Sequence, residues 1–488
     1  MPQTISIRDG SAPVPVLHAR DWEGPNDPEN PRNFTLKRRT FSTISIIFLA
    51  FVSTFGASVY SAGIQGVIEE YGVSEELAIL PLSLYTLGLA LGPLIGAPLC
   101  ETLFRDKIGR KSVTLVTTPL FAVFTLGSGF SPNITSLNIC RFFAGLFAAP
   151  AVSNASATII DYTAGRYRAI TMAFYYSIPQ LGAVVGPLVG GFAVNGRGWR
   201  WTQWTILFFA VAAYVPLIFT RETYKKIILQ RRAKKFNVEG PPHDNLPPLD
   251  FVRHFLRTQL IRPLHMLVTE PIVTLVCTYS GFLFGLLYLF IVASPWVYEH
   301  YYAFGITGQS LSFLGLVGGT ALAPIPLVII DHYIYQPRLK RFRHQHPSGE
   351  PFGSEHRLYG AMIASFFQPA ALLGFAWTAR PTIHWMVPIM FQCLAMTASI
   401  MVYAPVNLFM MDTYGSLYGA SAAGAGMMSR YAFSACFPLF ALQLYRTLGV
   451  GWATSVLAFC SLGMAPIPFL FYRCGKRLRG KTKYETSD

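Results

Sequence analysis

Three features of the sequence predict an all-α integral membrane protein of twelve transmembrane helices in two pseudo-symmetric six-helix halves. Apolar runs recur at bilayer-spanning length, a basic polar stretch divides them six and six, and Lys and Arg concentrate on one side. The 488 residues are 52% hydrophobic and 13% charged, where soluble domains carry roughly 25% charged residues.

A helix needs about 20 apolar residues to cross a bilayer. The runs 40–62, 77–99, 112–130, 137–160, 169–194 and 201–219 meet that length in the first half. In the second half 271–297, 310–330, 358–377, 385–411, 420–444 and 450–472 do so. The predicted organisation is a cytosolic tail (1–39), a bundle (40–219), a cytosolic linker (220–270), a second bundle (271–472) and a C-terminal tail (473–488). Such duplication is the layout of a secondary transporter whose site lies between the repeats.

With the first tail inside, the inner segments carry 33 of the 39 Lys and Arg, and the outer loops carry Arg197, Arg200, Arg380 and Arg446. Both termini are therefore expected in the cytosol of a multi-pass cell-membrane protein. The net charge of +15 then reads as topology and attraction to anionic membrane lipid, not as a nucleic-acid surface. Residues 1–39 are polar and basic, so no cleavable signal peptide is expected. The seven cysteines sit in or beside apolar runs and form no CxxC pair, which predicts small core hydrophobes rather than disulfides or metal ligands. In the linker, residues 224–235 predict an amphipathic surface helix, and Pro241, Pro242, Pro247 and Pro248 a tether. The sequon at Asn133 lies close to the predicted outer membrane face.

The fifth run contains the most informative stretch, QLGAVVGPLVGG from Gln180 to Gly191. Gly182, Gly186 and Gly190 at four-residue spacing clear one helix face for a close neighbour, with Gly191 beside them, and Pro187 removes a backbone donor and bends the segment. The pattern predicts a helix that packs tightly and changes angle.

The same stretch, Gly182 to Gly191, is similar to the antiporter motif of the major facilitator superfamily. Asp27-Pro28-Glu29-Asn30-Pro31, Trp199-Arg200-Trp201, Glu222-Thr223-Tyr224, Arg262-Pro263 and Glu270-Pro271 resemble the fungal twelve-span drug:proton antiporters. Between the second and third runs, Asp106 to Lys111 resembles the acidic-to-basic half of a superfamily signature, and Gly96 to Glu101 its first half, with about five extra residues between them. The resemblance implies a gating role for Asp106, Gly109, Arg110 and Lys111, with either Glu101 or Asp106 as the acid. Asp331 followed by Pro337-Arg338-Leu339-Lys340-Arg341 is a weaker copy in the second half. Arg141 resembles the arginine of the superfamily's second motif and joins the gating set.

Arg430 falls about ten residues into its run, at a depth of about 15 Å. An arginine there marks a functional position by default. No acid lies deep in any run, so coupling to protons falls to peripheral acids, with Asp161 and Glu101 as candidates. A cavity with arginine and no acid favours neutral or anionic solutes over cations. Tyr176, Gln180, Tyr279, Tyr288, Tyr403 and Asn407 complete the candidate substrate set with Arg430. No Walker, HExxH or GxSxG motif is present, so the expectation is neither an ATP-driven pump nor an enzyme, with no cofactor. The sequence thus predicts a monomeric exporter of small amphipathic molecules, with an importer or uniporter of the same fold, or a non-transporting sensor, as alternatives.

Overall fold

The computed structural model describes residues 27–103, 109–163, 165–236, 257–346 and 352–480 with a few isolated positions beside them, and the backbone alone at 93–103, 160, 165–170, 173, 258–259, 416–417 and 476. Asp106, the side chain of Glu101 and the linker prolines from Pro241 to Pro248 lie outside the described residues. The described residues are helical, with no strand among them.

In the first half the helices are α1 (Leu36–Ser58), α2 (Glu75–Leu103), α3 (Arg110–Gly129), α4 (Ile134–Tyr162), α5 (Gly165–Val194) and α6 (Trp201–Phe219). In the second half α7 (Pro271–Tyr302) is followed by α8, built from Ile306–Ser312, Leu314–Leu322 and Pro324–Ile330, and by α9 (Tyr359–Thr378). One continuous helical stretch, Met386–Met464, then contains two glycines in left-handed backbone, Gly415 (φ 56°) and Gly449 (φ 71°). Such angles favour a residue without Cβ. They divide the stretch into α10 (386–414), α11 (416–448) and α12 (450–464, continued by Ile467–Arg479). The described helices long and apolar enough to span a membrane number eleven, and the last, Tyr418–Gly475, covers two crossings folded at Gly449.

Burial varies with position in the bundle. Within the spanning windows, 89% of α7 is buried but only 33% of α6. α7 is thus a central helix, while α6 presents Phe208, Val211, Val215 and Phe219 outward, as lipid contact requires.

The halves meet along two seams, α2 against the 386–464 stretch and α5 against all three pieces of α8. At the outer end Arg446 grips Glu75 through both guanidinium nitrogens (2.6 and 3.1 Å), and Asn195 donates to Thr307 (3.3 Å). The opposite, basic end is called the inner end below; toward it the Tyr176 hydroxyl of the first half donates to Met411 Sδ of the second (3.3 Å). The first tail packs against the linker helix Lys225–Phe236, where buried Arg232 donates twice to Asp27 (2.8 and 2.7 Å) and once to Glu29 (2.7 Å). The Asn133 side chain accepts from Ser136 N and caps α4.

Candidate functional site

At mid-depth the two halves touch through aromatic rings. Tyr176 of α5 meets Tyr403 of α10 edge-on with ring centres 5.2 Å apart, and its hydroxyl donates to Met411 Sδ (3.3 Å). Behind Tyr403 lies Arg430 of α11. Gly426, one turn earlier, leaves room beside Asn407 and the guanidinium. Arg430 Nη1 donates to Asn407 Oδ1 (3.4 Å), and Asn407 is held in turn by Ser280 Oγ (2.9 Å) and Tyr403 O (2.8 Å). The rings of Tyr403 (5.1 Å) and Phe284 (5.4 Å) flank the cation. Arg430 Nε is buried without a hydrogen-bond partner, and among the described residues no carboxylate is paired with this guanidinium. The arrangement is a cation held by ring faces and one amide, with donor capacity to spare.

Of the seven residues selected for substrate contact, Tyr176, Tyr403, Asn407 and Arg430 thus come together. Gln180 is buried with its Oε1 unpartnered, and Tyr279 is buried with an unpartnered hydroxyl, neither in recorded contact with the Arg430 cage. Tyr288 lies instead in the electrostatic reach of Arg141, Tyr85 and Tyr431. Phe284 and Ser280 were not selected. With Tyr288 they share one face of α7 at four-residue spacing, a signal that a uniformly apolar helix conceals.

Arg141 is fully buried, donates to the carbonyls of Gly56 (2.8 Å) and Ala57 (3.1 Å), and lies over the rings of Tyr85 (4.4 Å) and Tyr60 (5.2 Å). Those carbonyls precede the tight turn Val59–Gly63 that interrupts α1. The guanidinium supplies donors that the broken helix lacks, and does not reach to the outer interface.

The antiporter-like stretch divides its glycines between two neighbours. A Cβ on Gly182 would strike Phe51 O and Thr54, on Gly186 Ser58 and Val59 N, and on Gly190 Val59 O at 2.6 Å, all on or just after α1 of the same half. Gly191 faces Ser310 of α8 in the other half. Pro187 sits inside the helix between them.

At the inner end Gly109 caps α3 so tightly that a Cβ would collide with the Glu222 carboxylate. Glu222 accepts from the amides of Lys111 (3.1 Å), Thr223 and Tyr224 (3.0 Å each), placing an anion at the α3 N-terminus. Lys111 Nζ returns the favour at α6, donating to the carbonyls of Ile218 (2.7 Å) and Thr220 (2.6 Å). Arg110 pairs with Asp161 at the end of α4. The second half places the same pair at corresponding positions, Arg357 entering α9 and Asp412 near the end of α10 (2.5 Å). The copy read in the sequence at Asp331 and Arg338 is not this one, because Arg338 donates to Tyr359 instead. Glu222 was legible only as part of a motif, and its partner α3 lies 111 residues away in sequence.

Inward of Tyr176 a pocket opens between α5, α8, α9 and α10.

Residues 46–438 match the family model described as Major Facilitator Superfamily. The chain belongs to that superfamily. "MFS-type transporter traF" of Penicillium crustosum is 36% identical over 96% of this chain and 94% of its own length. "Polyamine transporter 4" of Saccharomyces cerevisiae is 33% identical over 95% and 73%, and "Efflux pump radE" of Floropilus chiversii 32% identical over 95% and 85%. Among solved structures, the proton:xylose symporter XylE bound to 6-bromo-6-deoxy-D-glucose matches with TM-score 0.62 at 14% identity, covering 90% of this chain and 97% of that one. The superfamily assignment makes this a multi-pass membrane transporter of small molecules and not an enzyme. It also accounts for a site at the seam of two similar halves.

Proposed function

We propose that this transporter exports small amphipathic molecules, neutral or anionic, from the cytosol across the cell membrane by alternating access, coupled to proton entry. The observation that carries the substrate class is the Arg430 cage, which offers a cation and rings but no carboxylate. An anionic or carbonyl group gains the unused donors there, whereas a cation meets like charge. Tyr176 and Tyr403, one from each half, touch the same centre, so a ligand between them bears on both halves at once. Gln180 on α5 and Tyr279 and Tyr288 on α7, each with a buried unpartnered polar atom, are proposed as further substrate contacts.

Direction draws on the relatives named as efflux pumps and on the 182–191 stretch. The outer contacts of Glu75 with Arg446 and of Gly191 with Ser310 support a conformation shut to the outside. Asp161 is the proposed proton-linked acid, since protonation breaks its pair with Arg110 at the inner lock of Gly109 and Lys111; Glu101 and Asp106 are proposed as further acids of that lock. Both termini are placed in the cytosol and the unit is a monomer.

Flux of a fluorescent carboxylate through proteoliposomes under an imposed proton gradient tests the reading. Counterflow against protons is expected, with at least tenfold loss in Arg430→Ala at unchanged protein yield. Gradient-independent flux overturns the coupling, and normal flux in Arg430→Ala overturns the substrate argument.

A further inference from the structure

The inner pocket is a chamber distinct from the Arg430 cage, although Tyr176 forms part of its wall. Its two ends differ in chemistry. Leu327, Val328, Ala404, Pro405 and Leu408 line the end toward the membrane centre, whereas Asp331, Tyr335, His356, Arg357 and Tyr359 line the inner end.

The cations at the inner end are already satisfied. Arg357 is held by Asp412, and Arg338, behind the lining, donates to the Tyr359 hydroxyl and lies 4.7 Å from that ring's centre. His356 Nδ1 shares a hydrogen bond with the same hydroxyl at 2.6 Å. Asp331 differs. It opens the widened helical turn Asp331–Tyr335, accepts only from the neutral Gln336 Nε2 (3.1 Å), and has no ion pair among the described residues. A carboxylate has about four acceptor positions, so Asp331 retains accepting capacity at the polar end of the chamber.

We propose that this pocket is a loading site for amphiphiles whose polar end donates a hydrogen bond, a hydroxyl or an amine. The donor goes to the Asp331 carboxylate, and the apolar body lies against Leu327, Val328 and Leu408. Arg430 takes an acceptor group at the centre, so the two stations recognise opposite hydrogen-bonding characters of one cargo. That the bound molecule is cargo rests on the export reading; the binding selectivity does not.

The test uses 1-aminoanthracene, a neutral apolar amine, and anthracene, which lacks the donor, with the purified full chain in nanodiscs of neutral lipid. Displaceable binding is expected to be about tenfold tighter for the amine, because the analogue leaves the carboxylate unanswered. Asp331→Leu should erase that preference while sparing anthracene. Leu327→Trp should weaken both by filling the chamber, with Leu408→Phe as a second filler if the first variant is not monodisperse. Arg430→Ala should alter neither. An undiminished preference in Asp331→Leu overturns the proposal, as does loss of binding in Arg430→Ala with the filled variants unaffected. Flux of the amine in proteoliposomes separates the two readings. Asp331-dependent binding without flux sinks export and keeps the site, whereas flux indifferent to Asp331 and to filling sinks the site and keeps export.

Discussion

Arg141 and Arg430 are both guanidinium groups set within membrane helices, yet their surroundings differ in kind. Arg141 gives both terminal nitrogens to the backbone of a broken helix, with Nε unpartnered, and is sealed from every side. Arg141→Ala is therefore expected to cost about 2–4 kcal/mol, from two orphaned carbonyls and a cavity, read as a lowered unfolding midpoint in detergent. Arg430 holds one long hydrogen bond and two ring contacts, so its loss should leave folding intact and act on transport. Asp161 offers a test in pH. Burial pushes its carboxyl above the usual carboxylate range, with Arg110 opposing. A raised folded-state value means stability is full below the unfolded aspartate range and is lost as pH rises through the folded value. Asp161→Asn should flatten that fall in denaturation curves as pH rises above the unfolded aspartate range, and a slope equal to wild type would remove Asp161 from the lock's titration.

The glycines of α5 show why an element must be read against its neighbours. Gly186 packs on α1 in its own half, whereas Gly191 packs on α8 in the other. Gly186→Val should lower the yield of folded protein, because its Cβ meets the backbone of Val59 as well as Ser58, and backbone cannot step aside. Gly191→Val should fold and instead prevent outer closure, detected as increased labelling of an outer-seam cysteine such as Thr307→Cys by a membrane-impermeant thiol reagent. Similar yields and similar labelling in the two variants would refute this division. Elsewhere Gly88 and Gly145 let α2 and α4 cross at backbone distance, as Gly315 and Gly319 do for α8 and α10. These pairs were invisible in sequence, because a lone glycine in a membrane helix is unremarkable without its partner.

Across the whole molecule, the outer ends are latched by Glu75 and Arg446, both partly exposed. Exposed pairs contribute about 0–1 kcal/mol, a tie weak enough to open in each cycle. Arg446→Glu replaces attraction with repulsion and should shift the population toward outward-open forms, measured as a longer distance between spin labels on α2 and α11 at their outer ends. An unchanged distance distribution would make the latch incidental. Helix number and division into halves were legible in sequence because lipid demands length and apolarity from every span, and both are local properties. Four of the seven candidate substrate residues converge at the centre, since tyrosine, asparagine and arginine within an apolar run are costly enough to stand out. Asp331 appeared only as half of a motif copy, and Glu222 as a bare motif residue, because what each does depends on helices that arrive from elsewhere in the chain.

The sequence by itself determined the twelve crossings, the charge asymmetry and the absence of any acid deep in a span, all consequences of the bilayer as solvent. Only the tertiary structure decided that Arg141 serves the backbone while Arg430 faces an amide and two rings, and that one glycine of the 182–191 stretch faces the other half. Those assignments depend on which helix stands opposite, and in a membrane that is settled by close packing between surfaces of nearly equal hydrophobicity.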